Sequence, residues 1–142
     1  MKICGVHCIL YQVLEGRDGD RTIGLILQKR NHIARIYPGY WACFGGSIDG
    51  KESYEECVKR ELEEECTRIK IKFSDKKYEI PIRRGDNELS MLFLVAELKQ
   101  GNFGVRGEES LGCAVFNPEE IHHLQLRPED RMAIGKFLGE GV

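Results

Sequence analysis

A mixed α/β (α+β) fold, a sandwich with one β-sheet between α-helices, is the architecture that this sequence predicts. Three observations carry it. An apolar, β-branched stretch from Ile3 to Leu14 is closed by the turn-rich Glu15-Gly16-Arg17-Asp18-Gly19-Asp20 onto a second run, Thr22 to Lys29. A capped amphipathic helix follows Ser53, and further short apolar runs succeed it before a closing helical segment.

The elements follow in chain order. The first two runs are expected to pair as a hairpin. Arg30 to Gly39 is polar, ends in Pro38-Gly39 and reads as a loop, after which Tyr40-Trp41-Ala42-Cys43-Phe44 forms a short strand entering a Gly45-Gly46 turn. Ser53 with Glu56 makes a capping box, and Tyr54, Cys57, Val58 and Leu62 recur at helical spacing, so a helix is expected from about Tyr54 to Cys66. Ile69, Ile71 and Phe73 alternate with lysines as a half-buried strand does. Tyr78 to Ile82 and Leu89 to Leu98 give two more strands around the turn Arg84-Gly85-Asp86-Asn87, and Leu111 to Phe116 gives another. Asn117 caps a short helix with Pro118 at its first position, and the closing helix runs from about Pro128 to Leu138.

The chain has 142 residues, 42% of them hydrophobic, enough for one domain over 1–142 with its own core. Lys plus Arg number 21 and Asp plus Glu 23, a net charge of -2, so no global field attracts nucleic acid or an anionic membrane. A phosphate-bearing ligand must therefore be held locally, by a basic pocket or by bound cations. No apolar run approaches the roughly 20 residues that span a bilayer, and the start lacks a signal-peptide core, so a cytoplasmic protein is expected. Six cysteines without a C-x-x-C pair are expected to be free thiols rather than disulfides or a zinc site.

The helix carries the chemistry. Tyr54, Cys57, Val58 and Leu62 make its apolar stripe, with Glu56, Lys59 and Glu63 opposite. Glu61, Glu64 and Glu65 lie on or beside that stripe, close enough to repel one another. Glu61 has no cation at helical spacing, Glu65 has only Arg68, and Glu64 has Arg60 and Arg68. Partly buried carboxylates so placed raise their own pKa values unless something positive binds among them, and a hard divalent cation suits oxygen ligands of this kind. On the helix pattern alone, a Glu-rich face whose charges find arginine or lysine elsewhere accounts for the same residues. The flanking residues tip the balance.

Gly46, five residues, Glu52, seven residues, then Arg60-Glu61-Leu62-any-Glu64-Glu65 resembles the signature of the Nudix hydrolase family (MutT-like) at seven specified positions in fixed register. Trp41 ahead of the double glycine and Phe116-Asn117-Pro118-Glu119-Glu120-Ile121 extend the resemblance loosely. Three positions depart from it. Thr67 stands for the usual Gly and Arg68 for the following apolar residue, so the helix must exit differently, and Phe44 stands where many relatives have Pro.

The resemblance implies a Nudix-type sandwich and a metal-dependent hydrolase that cuts a diphosphate linkage in a nucleoside diphosphate derivative. The first choice is a (deoxy)nucleoside triphosphate pyrophosphohydrolase; sugar nucleotides, dinucleoside polyphosphates or a non-catalytic nucleotide-sensing domain are the alternatives. It further implies that Glu61, Glu64 and Glu65 bind Mg²⁺ or Mn²⁺, with the Gly45 carbonyl as a further ligand. Arg60 then orients the carboxylates, Glu61 serves as general base, and Glu52 braces the motif. Glu109, whose offset fits better than that of Glu108, completes the metal site. Arg30, and more weakly Arg35, contact phosphate beside Gly46. Trp41, Phe44, Phe103 and Asn117 are candidates for base contact. The partner is a small nucleotide, with nucleic acid and membrane disfavoured.

Overall fold

The computed structural model describes residues 2–103 and 110–140. The opening hairpin forms as expected, β1 (Lys2–Glu15) pairing antiparallel with β2 (Arg21–Arg30) from Glu15↔Arg21 to Leu10↔Ile26. Two short strands, β3 (Trp41–Ala42) and β4 (Phe44–Gly46), precede helix α1 (Tyr54–Glu65). Then come the long strands β5 (Cys66–Arg84) and β6 (Asn87–Phe103), strand β7 (Ser110–Phe116), and helices α2 (Pro118–Ile121) and α3 (Pro128–Glu140). The sheet runs β3-β2-β1-β6-β5, with β4 on β1 and β7 on β2. Among the described strands, β1 and β6 pair in parallel and the others antiparallel, so the sheet is mixed.

β1 is central because it is apolar on both faces. Val6, Cys8 and Leu10 turn toward α1 and pack with Ile26, Phe44, Cys57, Val58, Leu62, Leu92 and Leu94. Ile9 and Tyr11 turn the other way, into a layer with Leu25, Leu27, Phe93, Val95, Ile134 and Phe137 under α3. Each fully buried Leu, Ile or Phe contributes about 1.5–3 kcal/mol. Truncating Leu62, which is fully buried, to Ala is expected to cost about 2–5 kcal/mol and to loosen α1 from the sheet.

Four expectations need correction. Gly45-Gly46 is not a turn but part of β4, laddered to β1 through Val6↔Gly46 and His7↔Gly45. Tyr54 is 39% exposed and stands outside the buried stripe of α1, which is Cys57, Val58 and Leu62. Ile69–Phe73 and Tyr78–Ile82 belong to one strand, since β6 continues from Ala96 to Leu94 while β5 takes up Ser74-Asp75-Lys76 as a bulge. Phe44 is 1% exposed in the α1-side core and is not available to a base.

The helix exit explains the departures at Thr67 and Arg68. Cys66 caps α1 in an extended conformation, its N–H donating to Leu62 O, and the chain enters β5 at once. The left-handed conformation that a glycine would supply falls instead on Arg68, at φ 54°. All six cysteines are free thiols, four of them buried. Among the described residues, no helix is long and apolar enough to cross a membrane.

Candidate active site

Arg60 organises the acidic end of α1. Its Nε and Nη2 donate to the two carboxylate oxygens of Glu52 (3.1 and 2.8 Å), and Nη2 also donates to Ser47 O (3.0 Å). Nη1 points the other way and donates to Glu61 (3.1 Å) and Glu64 (3.3 Å). Glu52 is itself fixed by the backbone N–H of Asp49 (2.7 Å), and together these bonds hold its carboxyl down at about 2. The capping box forms as expected, Ser53 Oγ accepting from Glu56 N and Glu56 accepting from Ser53 N. The loop between Gly46 and α1 is thus tied at both ends.

The expectation that Glu61 lacks a cation is wrong in one respect: Arg60, its immediate neighbour, reaches it because the guanidinium folds back along the helix rather than out to solvent. One guanidinium against three carboxylates nevertheless leaves two negative charges in excess. Burial raises the pKa of Glu61, with repulsion from Glu64 next, and Arg60 offsets this only in part. Glu63, Glu64 and Glu65 occupy the last turn of α1, which carries no basic residue, so they oppose the helix dipole. Glu61 lies directly over Gly46, where a Cβ would sit 2.5 Å from Oε1. A side chain there would push the carboxylate away, so glycine is what lets Glu61 lie over the strand.

Among the described residues no three acidic, His or Cys side chains already converge as a metal site. The donor chemistry fits a hard divalent cation all the same: carboxylate oxygens in charge excess, with a cationic Nη1 standing between two of them. Glu109 and Glu108 lie outside the described residues, as does the side chain of Phe103. Arg30 Nε donates to Ile36 O (2.9 Å) and so holds the 31–40 loop, whereas Arg35 is exposed. Asn117 caps its own helix, its side chain accepting from Glu120 N, and Trp41 packs edge-on against Phe116 at 4.8 Å.

Sequence reasoning did not single out a second polar group behind this site. β1 and β2 part after Leu10↔Ile26, and residues 41–46 cross the fork, bonded to β2 at Trp41–Ala42 and to β1 at Phe44–Gly46. Cys43, in mid-crossing, lies outside both ladders. Its N–H donates to Asp130 (3.4 Å) and its carbonyl accepts from Gln28 Nε2 (3.4 Å). Asp130, fully buried, pairs through both oxygens with Arg127. His7 lies beside the crossing, 6% exposed and stacked on Phe93 at 5.4 Å; burial, then Arg127 and Arg30, hold its pKa well below the ordinary value. The sequence signal was a polar side chain interrupting an apolar pattern at His7 in β1, whereas Asp130 stands in the charged run Glu129-Asp130-Arg131 and carried none.

Comparison with known proteins decides the family. The NUDIX domain model matches residues 9–137. The chain belongs to the Nudix family. As a Nudix hydrolase it acts on phosphoric anhydride bonds of nucleotides or related compounds, and the family is generally dependent on a divalent metal. It is 28% identical over 108 residues to the nucleoside triphosphatase NudI of Escherichia coli, covering 70% of this chain and 77% of that protein. Its fold matches the Nudix hydrolase RenU from M. smegmatis with a TM-score of 0.77 at 17% identity, over 98% of this chain and 84% of that one. A C. elegans Ap4A hydrolase binary complex matches with a TM-score of 0.74 at 18% identity, over 97% and 96% of the two chains.

Proposed function

We propose that this chain hydrolyses (deoxy)nucleoside triphosphates between the α- and β-phosphates, releasing a nucleoside monophosphate and pyrophosphate. The observation that carries the reading is the surplus of carboxylates around Arg60, set over a glycine that leaves room for Glu61. NudI, a nucleoside triphosphatase, supports the choice of substrate.

In this reading Glu61, Glu64 and Glu65 hold Mg²⁺ or Mn²⁺, joined by the Gly45 carbonyl and by Glu109. When bound, the metal neutralises phosphate charge and lowers the pKa of water. Glu52 fixes Arg60, and Arg60 in turn fixes the carboxylates of Glu61 and Glu64. Glu61 takes the proton from the attacking water. The new bond forms between water oxygen and phosphorus, the phosphoanhydride bond breaks, and its electron pair leaves on pyrophosphate. Arg30 and, at the rim, Arg35 offset the charge that develops on the phosphates beside Gly46.

The test is Mg²⁺-dependent release of pyrophosphate or phosphate from a panel of nucleoside triphosphates, sugar nucleotides and dinucleoside polyphosphates, with and without a chelator. Pyrophosphate from triphosphates alone is the expected result. Turnover confined to either other class reassigns the substrate, and binding without release makes the chain a nucleotide sensor.

A further inference from the structure

Trp41 turns into the α3-side layer, where it meets Phe116 edge-on at 4.8 Å and lies under its ladder partner Lys29, whose Nζ is 5.9 Å from the ring. Arg30 and Tyr40 continue that ladder by one step. Arg30 N donates to Tyr40 O (2.8 Å), and Gly39 N donates to Arg30 O (3.0 Å). Side chains alternate along a strand, so Arg30 and Tyr40 turn to the face opposite Lys29 and Trp41. That face belongs to α1. Ile26, four residues before Arg30 on β2, packs with Leu62 in the α1-side core, and Cys113, opposite Gln28, packs there too. Tyr40 therefore stands on the side of the sheet that carries the acidic site. Six residues of chain separate it from Gly46, which lies beneath Glu61, and they bound the distance at about 20 Å.

The loop before Tyr40 is held in place. Arg30 Nε donates to Ile36 O (2.9 Å), and Asn31 accepts from Ile33 N on its side chain (3.1 Å) and from Ala34 N on its carbonyl (3.0 Å). Tyr37 takes a left-handed conformation, φ 49°, that bulky residues rarely adopt. Its ring lies 5.2 Å from that of Tyr40, inclined by 52°, and Tyr40 N donates to Tyr37 O (3.3 Å). Both rings are partly exposed, as are Ile33 (80%) and Ile36 (49%). Residues 31–40 carry no acidic side chain in a chain that has 23, so the loop does not repel a phosphate-bearing ligand. A braced loop with a strained residue, presenting aromatic and apolar groups beside a polar site, has the make-up of a ligand-binding wall.

We propose that Tyr40, backed by Tyr37, is a binding residue for the nucleoside end of the substrate and stacks on its base. The inference rests on the proposed action on nucleotides. An aromatic ring offers a face on which any base can stack, whereas inorganic phosphate has nothing to place there. With the base on Tyr40, the phosphates reach toward Gly46 and Glu61 on the same side of the sheet.

The test compares wild type with Tyr40→Leu, which removes the ring and keeps an apolar side chain, and with Tyr40→Phe, which keeps the ring. Two readouts are taken: calorimetric binding of AMP, GMP, CMP, UMP and ribose 5-phosphate, and Mg²⁺-dependent hydrolysis of the four nucleoside triphosphates beside inorganic tripolyphosphate, which has no base. Wild type is expected to bind its preferred monophosphate at least tenfold tighter than ribose 5-phosphate, a comparison that needs no variant to fold. Tyr40→Leu is expected to lose about tenfold in affinity for that monophosphate and to raise KM for the triphosphate rather than lower kcat, with a far smaller loss on tripolyphosphate. Tyr40→Phe is expected to bind as wild type does. Equal wild-type affinity for the monophosphate and ribose 5-phosphate would overturn the proposal, and so would unchanged binding in Tyr40→Leu or an equal loss on triphosphates and tripolyphosphate. A changed sedimentation coefficient in Tyr40→Leu with unchanged affinity would assign the loop to self-association instead. A wild type that binds monophosphates but hydrolyses nothing would refute the proposed reaction, while the binding comparison would still decide the role of Tyr40.

Discussion

Two arginine-centred groups in this molecule differ in their charge balance. Arg127 meets one carboxylate, Asp130, through two hydrogen bonds in a fully buried setting, and that carboxylate also accepts from the backbone of Cys43. The two side chains are matched one to one, with Glu129 adding a further negative charge near Arg127, and the group closes a gap where the chain crosses between two ladders. Arg60 meets three carboxylates, Glu52, Glu61 and Glu64, at a half-open surface, with Glu65 next along a helix end that already disfavours negative charge. A matched pair is what structure needs. An unmatched cluster lowers stability, and its retention points to a cation that arrives from outside.

The largest expected effect contrasts the two groups directly. Asp130→Asn is expected to cost about 3–5 kcal/mol in denaturant unfolding, because it leaves the Arg127 charge buried and unpaired. Glu64→Gln and Glu61→Gln should behave oppositely: kcat falls by ~10²-fold or more while the unfolding midpoint stays level or rises. A loss of stability in the glutamine variants comparable to that of Asp130→Asn would erase the distinction.

A smaller effect is expected at Gly46→Ala. The added Cβ meets Glu61 Oε1 at 2.5 Å, and the carboxylate must give way. Turnover should drop by roughly tenfold, less than the ~10²-fold that misplacing a reacting group by 1 Å can cost, because the carboxylate ends a flexible side chain that partly readjusts, with far-ultraviolet circular dichroism unchanged. Full activity would mean that the position of Glu61 over Gly46 is immaterial.

The pH dependence separates Glu52 from Glu61. Glu52, held down at about 2, contributes stability that is present above the ordinary carboxylate value of 4.5 and is lost as pH falls toward about 2. Wild type and Glu52→Gln should therefore differ in unfolding midpoint at neutral pH and converge in acid. The pKa of Glu61 is raised in the folded state, so protonation favours folding, and its ionised form destabilises as pH rises through the folded value. In the absence of divalent metal, Glu61→Gln should gain on wild type in unfolding midpoint as pH rises.

The sequence made α1 legible to within a residue, because a capping box, an apolar stripe and a fixed signature all point to the same start and register. It also gave the acidic cluster and the likeness to the family. The crossing at Cys43 was not legible, because the ladder partners of Phe44 and Trp41 lie on different strands and only the assembled sheet separates them. The same reason hid Asp130 and Gln28, which bond to Cys43 across 87 and 15 residues of chain. Arg60 on Glu61 was missed because neighbours at i and i+1 on a helix do not face each other, and only the long, folded-back guanidinium brings them together. Tyr54 was placed in the core by spacing alone, and at the first position of α1 spacing does not fix whether a side chain is covered.

The most direct measurement is a Mg²⁺ titration of wild type and Glu64→Gln, following the thermal midpoint without nucleotide. If the carboxylate surplus is a cation site, Mg²⁺ raises the wild-type midpoint in a saturable way and a chelator reverses it, while Glu64→Gln responds much less. Equal responses in the two proteins, or none in either, would contradict the account.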